Sequence, residues 1–434
     1  MADGRLGNHR QSQPDHHRPR QDGSPPLPRR QYRREAQIPP HRSGGEQDGS
    51  GAEEPHRGDG RAGHEPHHPH RRRHRDTGRR AGEGRAGQVS GQVSPARIRL
   101  RLAGICLAAL VVLLGAVALG AAIGETSIPV ATVAKAVANR LWHAGYPLDP
   151  IDEGVIWNYR VARAVVAACC GATLALCGVV LQALLRNALA DPYILGISAG
   201  ASTGAVAVAI LGFGAGFMSL SGGAFIGALA AFGFVALLAM NGGRGTAPII
   251  LAGIAGSQLF NALTSFIVTR SATSDQARGI MFWLLGNLSG VRWPDVTLAA
   301  PVAVAGLVVC LFHARALDAF AFGAESAASL GVPVRRVLVV MVAVTALMTA
   351  VMVSIVGSIG FVGLVIPHAA RMLVGVRHGR LLPAAAFIGA VFLILADILS
   401  RTIVHGQVLP IGVMTALFGA PASAFLLIHR PVSR

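Results

Sequence analysis

Long apolar runs alternate with short polar segments over the last three-quarters of the chain. A helix needs about 20 apolar residues to cross a bilayer. Two runs, 192–243 and 337–370, are long enough for two helices each, so the pattern predicts about ten membrane-spanning helices and an all-α fold. The runs are 102–124, 164–185, 192–243, 245–269, 294–312, 337–370, 381–400 and 412–428.

Glycine and proline modify this pattern in the two long runs. The glycine-rich stretch 212–223 divides the first run into two helices. The second run contains Gly357, Gly360, Gly363 and Pro367, so we expect a full helix followed by a short or broken one. Irregular backbone at membrane depth survives only where protein or a water-filled cavity surrounds it. Residues 271–292 are amphipathic and predict an interfacial helix.

The first 97 residues have a different composition from the apolar remainder, 98–434. They hold 19 arginines and 10 of the 16 histidines, with many Pro, Gly and Gln residues. So little apolar surface predicts a disordered tail, and an over-extended gene start is the alternative. The net charge of the whole chain is +17, and no folded basic domain carries it. We interpret it as cytoplasmic positive charge that orients the chain in the membrane, and we do not expect nucleic-acid binding.

A polar segment at residues 313–336 interrupts the apolar pattern between two spans. It carries His313, Arg315, Arg335 and Arg336, and its Ala, Leu and Glu residues favour helix. We refer to it as the polar hairpin. Its position predicts a short helical hairpin at the cytoplasmic face, where a soluble partner can act on the membrane domain.

The chain lacks the residues of a nucleotide-binding or catalytic centre. Lys135 is its single lysine and stands in Val-Ala-Lys-Ala-Val, which excludes a GxxxxGK[ST] phosphate loop. No carboxylates cluster at membrane depth, and the five cysteines lie in apolar runs as small core residues. We therefore expect no enzymatic activity, no metal site and no directly bound cofactor.

Four separated motifs, in order, resemble the FecCD family of membrane permeases. ABC importers of this family carry iron–siderophore complexes, haem or cobalamin. The resemblance covers about residues 98–430. The motifs are Arg-Val-Ala-Arg at 160–163 with the Gly-Val-Val-Leu-Gln to Gly-Ile-Ser-Ala-Gly-Ala stretch at 178–201, Gly-Ala-Glu-Ser-Ala-Ala-Ser-Leu-Gly-Val at 323–332, Gly-Ser-Ile-Gly-Phe-Val-Gly to Pro-His-Ala-Ala-Arg at 357–371, and Leu-Ala-Asp to Gly-Ala-Pro at 395–421.

The resemblance implies the partners and the place of the protein. It implies a dimer of ten-span permeases in the plasma membrane, either a homodimer or a heterodimer, with both termini cytoplasmic. A pair of ABC ATPase subunits would use the ATP, and an extracytoplasmic substrate-binding protein would deliver the cargo. A ferric siderophore is the expected cargo, with haem and cobalamin as alternatives. Membrane lipid would surround the permease dimer.

The resemblance also implies that the polar hairpin docks into a cleft of the ATPase. The expected coupling residues are Gly323, Glu325, Ser326, Leu330 and Gly331. A merely solvated loop is the alternative interpretation.

Three arginines carry a docking role in the family. Arg160, Arg163 and Arg401 match positions that pair with carboxylates of the binding protein, and the planar guanidinium suits bidentate pairing. The alternative is an internal pair, because Asp397 and Arg401 are four residues apart on one helix face. Both interpretations can hold together.

Polar residues on the fifth span predict the translocation path. Ser257, Asn261, Thr264 and Ser265 share one helical face, and Gly360 belongs to the eighth span that lines the path in the family. The alternative is polar contact between packed helices.

The roles of two further residues, and one alternative class of transporter, are left open by the sequence. Val408 stands where the family commonly has an acidic residue before Leu-Pro. His368 follows Pro367; an intramembrane histidine is a functional candidate, and a structural role at a helix bend is the alternative. An ion-coupled secondary transporter would need buried ionisable groups, and Asp397, within the run 381–400, is the acidic candidate.

Overall fold

The computed structural model describes residues 95–124, 128–214, 216–243, 246–404 and 406–428. The tail predicted at 1–97 lies almost wholly outside them. The described residues form helices joined by turns, without a strand. These α-helices are α1 Pro95–Ala122, α2 Val130–Trp142, α3 Pro150–Val155, α4 Ala162–Leu184, α5 Ile197–Leu211, α6 Leu220–Asn241, α7 Ala247–Ser271, α8 Ser274–Leu284, α9 Trp293–Phe312, α10 Ala314–Phe320, α11 Ala324–Ser329, α12 Val334–Val356, α13 Val362–Val374, α14 His378–Thr402 and α15 Ile411–Ile428.

The predicted all-α membrane fold is confirmed. Over the described ranges, seven helices are long and apolar enough to cross a membrane, and α5, α13 and α15 are shorter apolar helices. Together they account for the ten predicted spans. A π-helical turn, Ile156–Val161, joins α3 to α4, so these three segments form one long helical rod.

The bundle has two distinct ends. At one end, α10 and α11 form the polar hairpin between α9 and α12; we refer to it as the hairpin end. At the other end, the start of α4 meets the end of α14, and the arginines Arg160, Arg163 and Arg401 lie there. We refer to it as the arginine end. The long helices α4, α9, α12 and α14 run between the two.

Helix α4 lies at the centre of the bundle because small residues let its neighbours approach closely. A Cβ atom added at Gly171 would lie 2.1 Å from the carbonyl oxygen of Gly389 on α14, so only glycine fits at this crossing. A Cβ at Gly178 would lie 1.9 Å from the carbonyl oxygen of Gly363 on α13. In a lipid bilayer there is no hydrophobic driving force between helices, so close packing at small residues holds them together.

The predicted interruption of the eighth span is confirmed. Helix α12 has 23 residues and α13 has 13, and Gly357–Phe361 between them is not helical. At 1.5 Å per residue, α13 covers about 20 Å, which is less than the hydrocarbon thickness of a bilayer. Gly357 and Phe361 both have positive φ angles, 75° and 68°. Part of this non-helical segment therefore lies at membrane depth.

Two predictions differ from the structure in detail. The third span was expected from residue 192, whereas α5 begins at Ile197 after a 3₁₀ turn, Pro192–Leu195. Of the cysteines expected in the core, Cys106 is exposed on α1, which presents most of its surface outward. An apolar residue facing lipid has the same composition as one facing protein, so hydropathy does not separate the two.

Candidate functional site

The polar hairpin consists of an anchored half and an exposed half. On α10, Leu317 and Phe320 are buried in the main apolar core. On α11, Glu325 and Ser326 are exposed, and Leu330 is 70% exposed although it is apolar. The two halves are joined at Gly323, whose φ of 106° favours glycine. The sequence-predicted coupling residues thus lie around one exposed helical turn, with Gly331 exposed at its end.

Asp397 lies between two arginines at the arginine end. The carboxylate is 1% exposed, and its Oδ1 atom accepts hydrogen bonds from Arg163 Nε and Nη2, each at 2.8 Å. Its Oδ2 atom lies 2.9 Å from Arg401 Nη2. The pair that the sequence predicted between Asp397 and Arg401 is confirmed. Arg163, which lies 234 residues earlier in the chain than Asp397, adds a second ion pair to the same carboxylate. One carboxylate therefore ties α14 to the start of α4.

The C-terminus of α1 supplies the remaining acceptors. Arg401 Nη1 donates to the carbonyl of Ile123 at 2.8 Å, and its Nη2 donates to Gly120 at 3.1 Å. Arg160 Nη1 donates to the carbonyl of Ala122 at 3.1 Å. The last carbonyls of a helix have no partner within the helix and carry its negative dipole end. They add acceptors for Arg160 and Arg401, beside the Asp397 carboxylate that Arg163 and Arg401 share.

The three predicted docking arginines are therefore brought together, but inside the bundle. Arg160, Arg163 and Arg401 are 6%, 8% and 6% exposed. Their docking role stays a prediction. The burial of their guanidinium groups agrees with the alternative of internal pairing.

Arg292 is a cation at the same end that the sequence did not single out. Its guanidinium lies 3.8 Å from the ring centroid of Tyr159, which is 47% exposed. Its Nη1 atom donates to the carbonyls of Ser289 and Val291, at 3.2 and 2.7 Å. Arg163 donates to the hydroxyl of the same Ser289 at 3.1 Å. The buried arginine cluster thus holds the loop that places Arg292 on its aromatic support.

The predicted path residues on α7 divide into two sets. Thr264 is buried and shares a hydrogen bond of 2.9 Å with Thr203 of α5, so it acts as an interhelical contact. Asn261 and Ser265 are exposed, and Ser257 is partly exposed. Ser257 lines a cleft of about 290 Å³ between α7 and the Pro192–Leu195 turn.

Gly360 lies on the other side of that turn. The turn's Tyr193 hydroxyl donates to the carbonyl of Ile359 at 2.9 Å and accepts from its N–H at 2.8 Å. The carbonyl of Ile194 packs against Gly253 of α7. Gly360 and Ser257 are thus linked through one turn and do not meet directly.

The segment Gly357–Phe361 is the place where the separated sequence motifs converge. Ser358 bonds Ser198 at 2.7 Å. Gln182 donates to the carbonyl of Gly363 at 3.2 Å just beyond the segment. Gly412 and Gly419 of α15 pack directly against Ser358 and Phe361. The motifs therefore specify one packed junction among α4, α5, α13 and α15.

The described residues thus form a multi-span membrane bundle with an exposed helical hairpin at one end and buried cations at the other. The FecCD transport family model matches residues 107–429. The chain belongs to this family of ABC importer permeases, and ATP hydrolysis lies with a separate subunit.

Individual relatives carry different cargoes by name. The chain is 40% identical to the cobalamin import system permease protein BtuC of Halobacterium salinarum, over 79% of this chain and 93% of that one. It is 34% identical to the hemin transport system permease protein HmuU of Yersinia pestis, over 76% and 97%. It is 35% identical to the Bacillus subtilis permease YfhA, named for siderophore transport, over 71% and 90%.

A solved structure has the same architecture. It is described as an inward-facing metal-chelate type ABC transporter and superposes with a TM-score of 0.65 at 30% identity, covering 75% of this chain and 99% of the other. The membrane location of the family follows for this chain as well.

We predict that Asp397→Asn strongly destabilises the permease. The change leaves Arg163 and Arg401 buried without a carboxylate, and removing one partner of a buried ion pair costs about 3–5 kcal/mol. Thermal unfolding of the detergent-purified protein measures the effect. Asp275→Asn is the matched control, because Asp275 pairs with Arg278 at 3.7 Å on the exposed surface of α8. Equal melting temperatures for the two variants would contradict the prediction.

Proposed function

We propose that this permease imports a metal chelate, most simply a ferric siderophore, and that an ABC ATPase acts on it through the polar hairpin. The observation that carries the proposal is the division of the hairpin into a buried α10 and an exposed α11. A force applied at Glu325, Ser326 or Leu330 reaches α10. Because α10 is packed into the core beside α4 and α14, those spans move with it.

Two ATPase subunits and two permeases make up the proposed complex. The exposed face of α7 supports a second permease, because Asn261 and Ser265 point away from their own bundle. Polar side chains in a bilayer face a partner helix or a water-filled cavity. We propose that this face, with Ser257 and Gly360, borders a translocation path between two permeases. Thr264 supports the wall from behind through α5.

The arginines of the hairpin end support a cytoplasmic orientation. Exposed arginines cluster there, and Glu325 is the exposed acidic residue of the hairpin. Cytoplasmic loops carry an excess of arginine and lysine. With ten spans, both termini are then cytoplasmic and the arginine end faces outward. The exposed arginines are Arg186, Arg315, Arg335, Arg336, Arg377 and Arg380.

The substrate-binding protein docks, in this proposal, at the arginine end. The buried arginines Arg160, Arg163 and Arg401 hold the helices together at this end. Arg292, which lies against the ring of Tyr159, is placed to contact a carboxylate of the binding protein. The Nη1 atom of Arg292 donates hydrogen bonds to two carbonyls, whereas its Nε and Nη2 edge has no acceptor among the described residues. A guanidinium fixed in this way offers a planar fork at low entropic cost.

The cargo is proposed from the chemistry of the path. The face of α7 is weakly polar and uncharged from Ser257 to Ser265. Such a wall suits a bulky chelate that must not bind tightly on its way through. Haem and cobalamin are the alternatives, and both are named cargoes of relatives. Proton-coupled transport is the other candidate class, with Asp397 as its ionisable group.

We predict that Glu325→Arg and Gly323→Pro uncouple ATP hydrolysis from uptake. The first reverses the charge of the exposed turn, and the second imposes a φ that Gly323 does not have. Proteoliposomes containing permease and ATPase should hydrolyse ATP without accumulating substrate. Ser329→Ala, which removes only a bond to the carbonyl of Ser326 within α11, is the control. Normal uptake by both variants would refute the coupling role.

We predict that Arg292→Glu weakens docking of the substrate-binding protein. The binding protein that supports uptake by the wild-type complex is the probe, and its affinity for the permease–ATPase complex in nanodiscs is measured at low and high salt. Arg278→Glu is the control, since it makes the same charge change on exposed α8. A similar loss in both variants would show general charge attraction and would contradict a specific contact.

We predict ATP-dependent uptake of ferric siderophore that haem and cobalamin do not outcompete. Labelled chelates are offered to cells with and without the gene under iron starvation. Dissipating the proton gradient while ATP is maintained should leave uptake unchanged. Uptake of labelled cobalamin or haem alone would change the cargo, and loss of uptake with the gradient would favour ion coupling.

A further inference from the structure

A single carboxylate of the polar hairpin holds the beginning of α14. The Oδ1 atom of Asp318, on α10, accepts a hydrogen bond from the backbone N–H of His378 at 2.8 Å. The same oxygen lies 2.7 Å from His378 Nδ1. Because a carboxylate accepts, Nδ1 is the donor and carries the proton. His378 is 5% exposed and the Asp318 side chain is 39% exposed, so the contact lies at the edge of the apolar core.

This arrangement is unusual in where the helix cap comes from. The first N–H groups of a helix lack partners within it, and the residue just before the helix usually supplies an acceptor. Arg377 occupies that position in α14 and makes no side-chain cap. The acceptor comes instead from Asp318, 60 residues earlier in the chain. A carboxylate at this position is also favoured by the helix dipole.

Helix α14 is bound firmly at its other end as well. Its 25 residues make a rod of about 37 Å. At the far end, Asp397 and Arg401 connect it to α4 and to the carbonyls of α1. Between the two ends, Gly389 packs backbone to backbone on α4. A displacement of the N-terminus of α14 therefore reaches the arginine end without being absorbed by loose packing.

We propose that Asp318 and His378 form a clasp that passes the movement of the polar hairpin to α14. They are positioning residues, since neither touches cargo or nucleotide. The inference rests on the proposed coupling role of the hairpin and adds the route by which α14 takes part. When α11 is displaced, α10 moves and its carboxylate takes the start of α14 with it. Without the clasp, α10 can slide while α14 stays in place.

The test is the amount of substrate transported per ATP hydrolysed in proteoliposomes that contain the permease–ATPase complex. Asp318→Ala and His378→Leu each remove the side-chain bond, and bonds to charged groups are among the stronger ones. We expect the ratio to fall by roughly threefold or more, while ATP hydrolysis stays near the wild-type rate. His378→Asn places an amide donor near the position of Nδ1 and should restore much of the ratio. A merely structural role would lower transport and hydrolysis together.

Two comparisons keep the test decisive. Asp149→Ala is the matched control, because Asp149 caps α3 locally through the N–H of Ile151. If Asp318→Ala does not accumulate in the membrane, His378→Leu carries the test, because it removes the Nδ1 bond and leaves the backbone bond to Asp318 in place. A wild-type complex without ATP-dependent uptake would defeat the proposed function itself. A coupled wild type with an unchanged ratio in the Asp318 and His378 variants would overturn the clasp alone.

Discussion

The unwound segment Gly357–Phe361 is the constraint on which the rest of the bundle depends. Backbone N–H and C=O groups that leave a helix within a bilayer find no water, so the protein itself must satisfy them. The Tyr193 hydroxyl does so for both groups of Ile359. The carbonyl of Val356, at the end of α12, accepts from the N–H of Asn287. Each of these partners comes from a different part of the chain, so satisfying one short break fixes the positions of several helices at once.

A different physical problem is solved at the arginine end. Arg163 and Arg401 share the carboxylate of Asp397, and buried guanidinium groups are costly unless their remaining donors find acceptors. The C-terminal carbonyls of α1 help to meet this need, as the hydrogen bonds to Gly120 and Ile123 illustrate. The first span is otherwise poorly buried, so this polar contact does much to hold it against α4 and α14. The arginine end is thus held by charged and polar contacts, and the hairpin end by the apolar burial of α10.

The sequence was sufficient to predict the features that depend on local composition. Uncharged runs located the spans, and the glycines of 357–363 located the break in the eighth one. The pair of Asp397 with Arg401 followed from a spacing of four. The sequence was not sufficient where the partner is distant: nothing near Asp397 points to Arg163, and nothing near Asp318 points to His378. Burial of Arg163 could not be foreseen either, because an arginine beside an apolar run is more often exposed at the membrane surface.

Apart from the exposed hairpin motif, the residues that define the family are engaged in packing, and this explains why they do not reveal the cargo. Gly178, Gln182, Gly363 and Gly412 all contact neighbouring backbone and could not contact a passing substrate without giving up those contacts. Relatives named for cobalamin, hemin and siderophore transport can therefore share one architecture. Selectivity must come from side chains that the bundle does not need for itself. In the proposed path these are the exposed positions around Asn261 on α7, where a substitution would change the wall of the path at little cost to the fold.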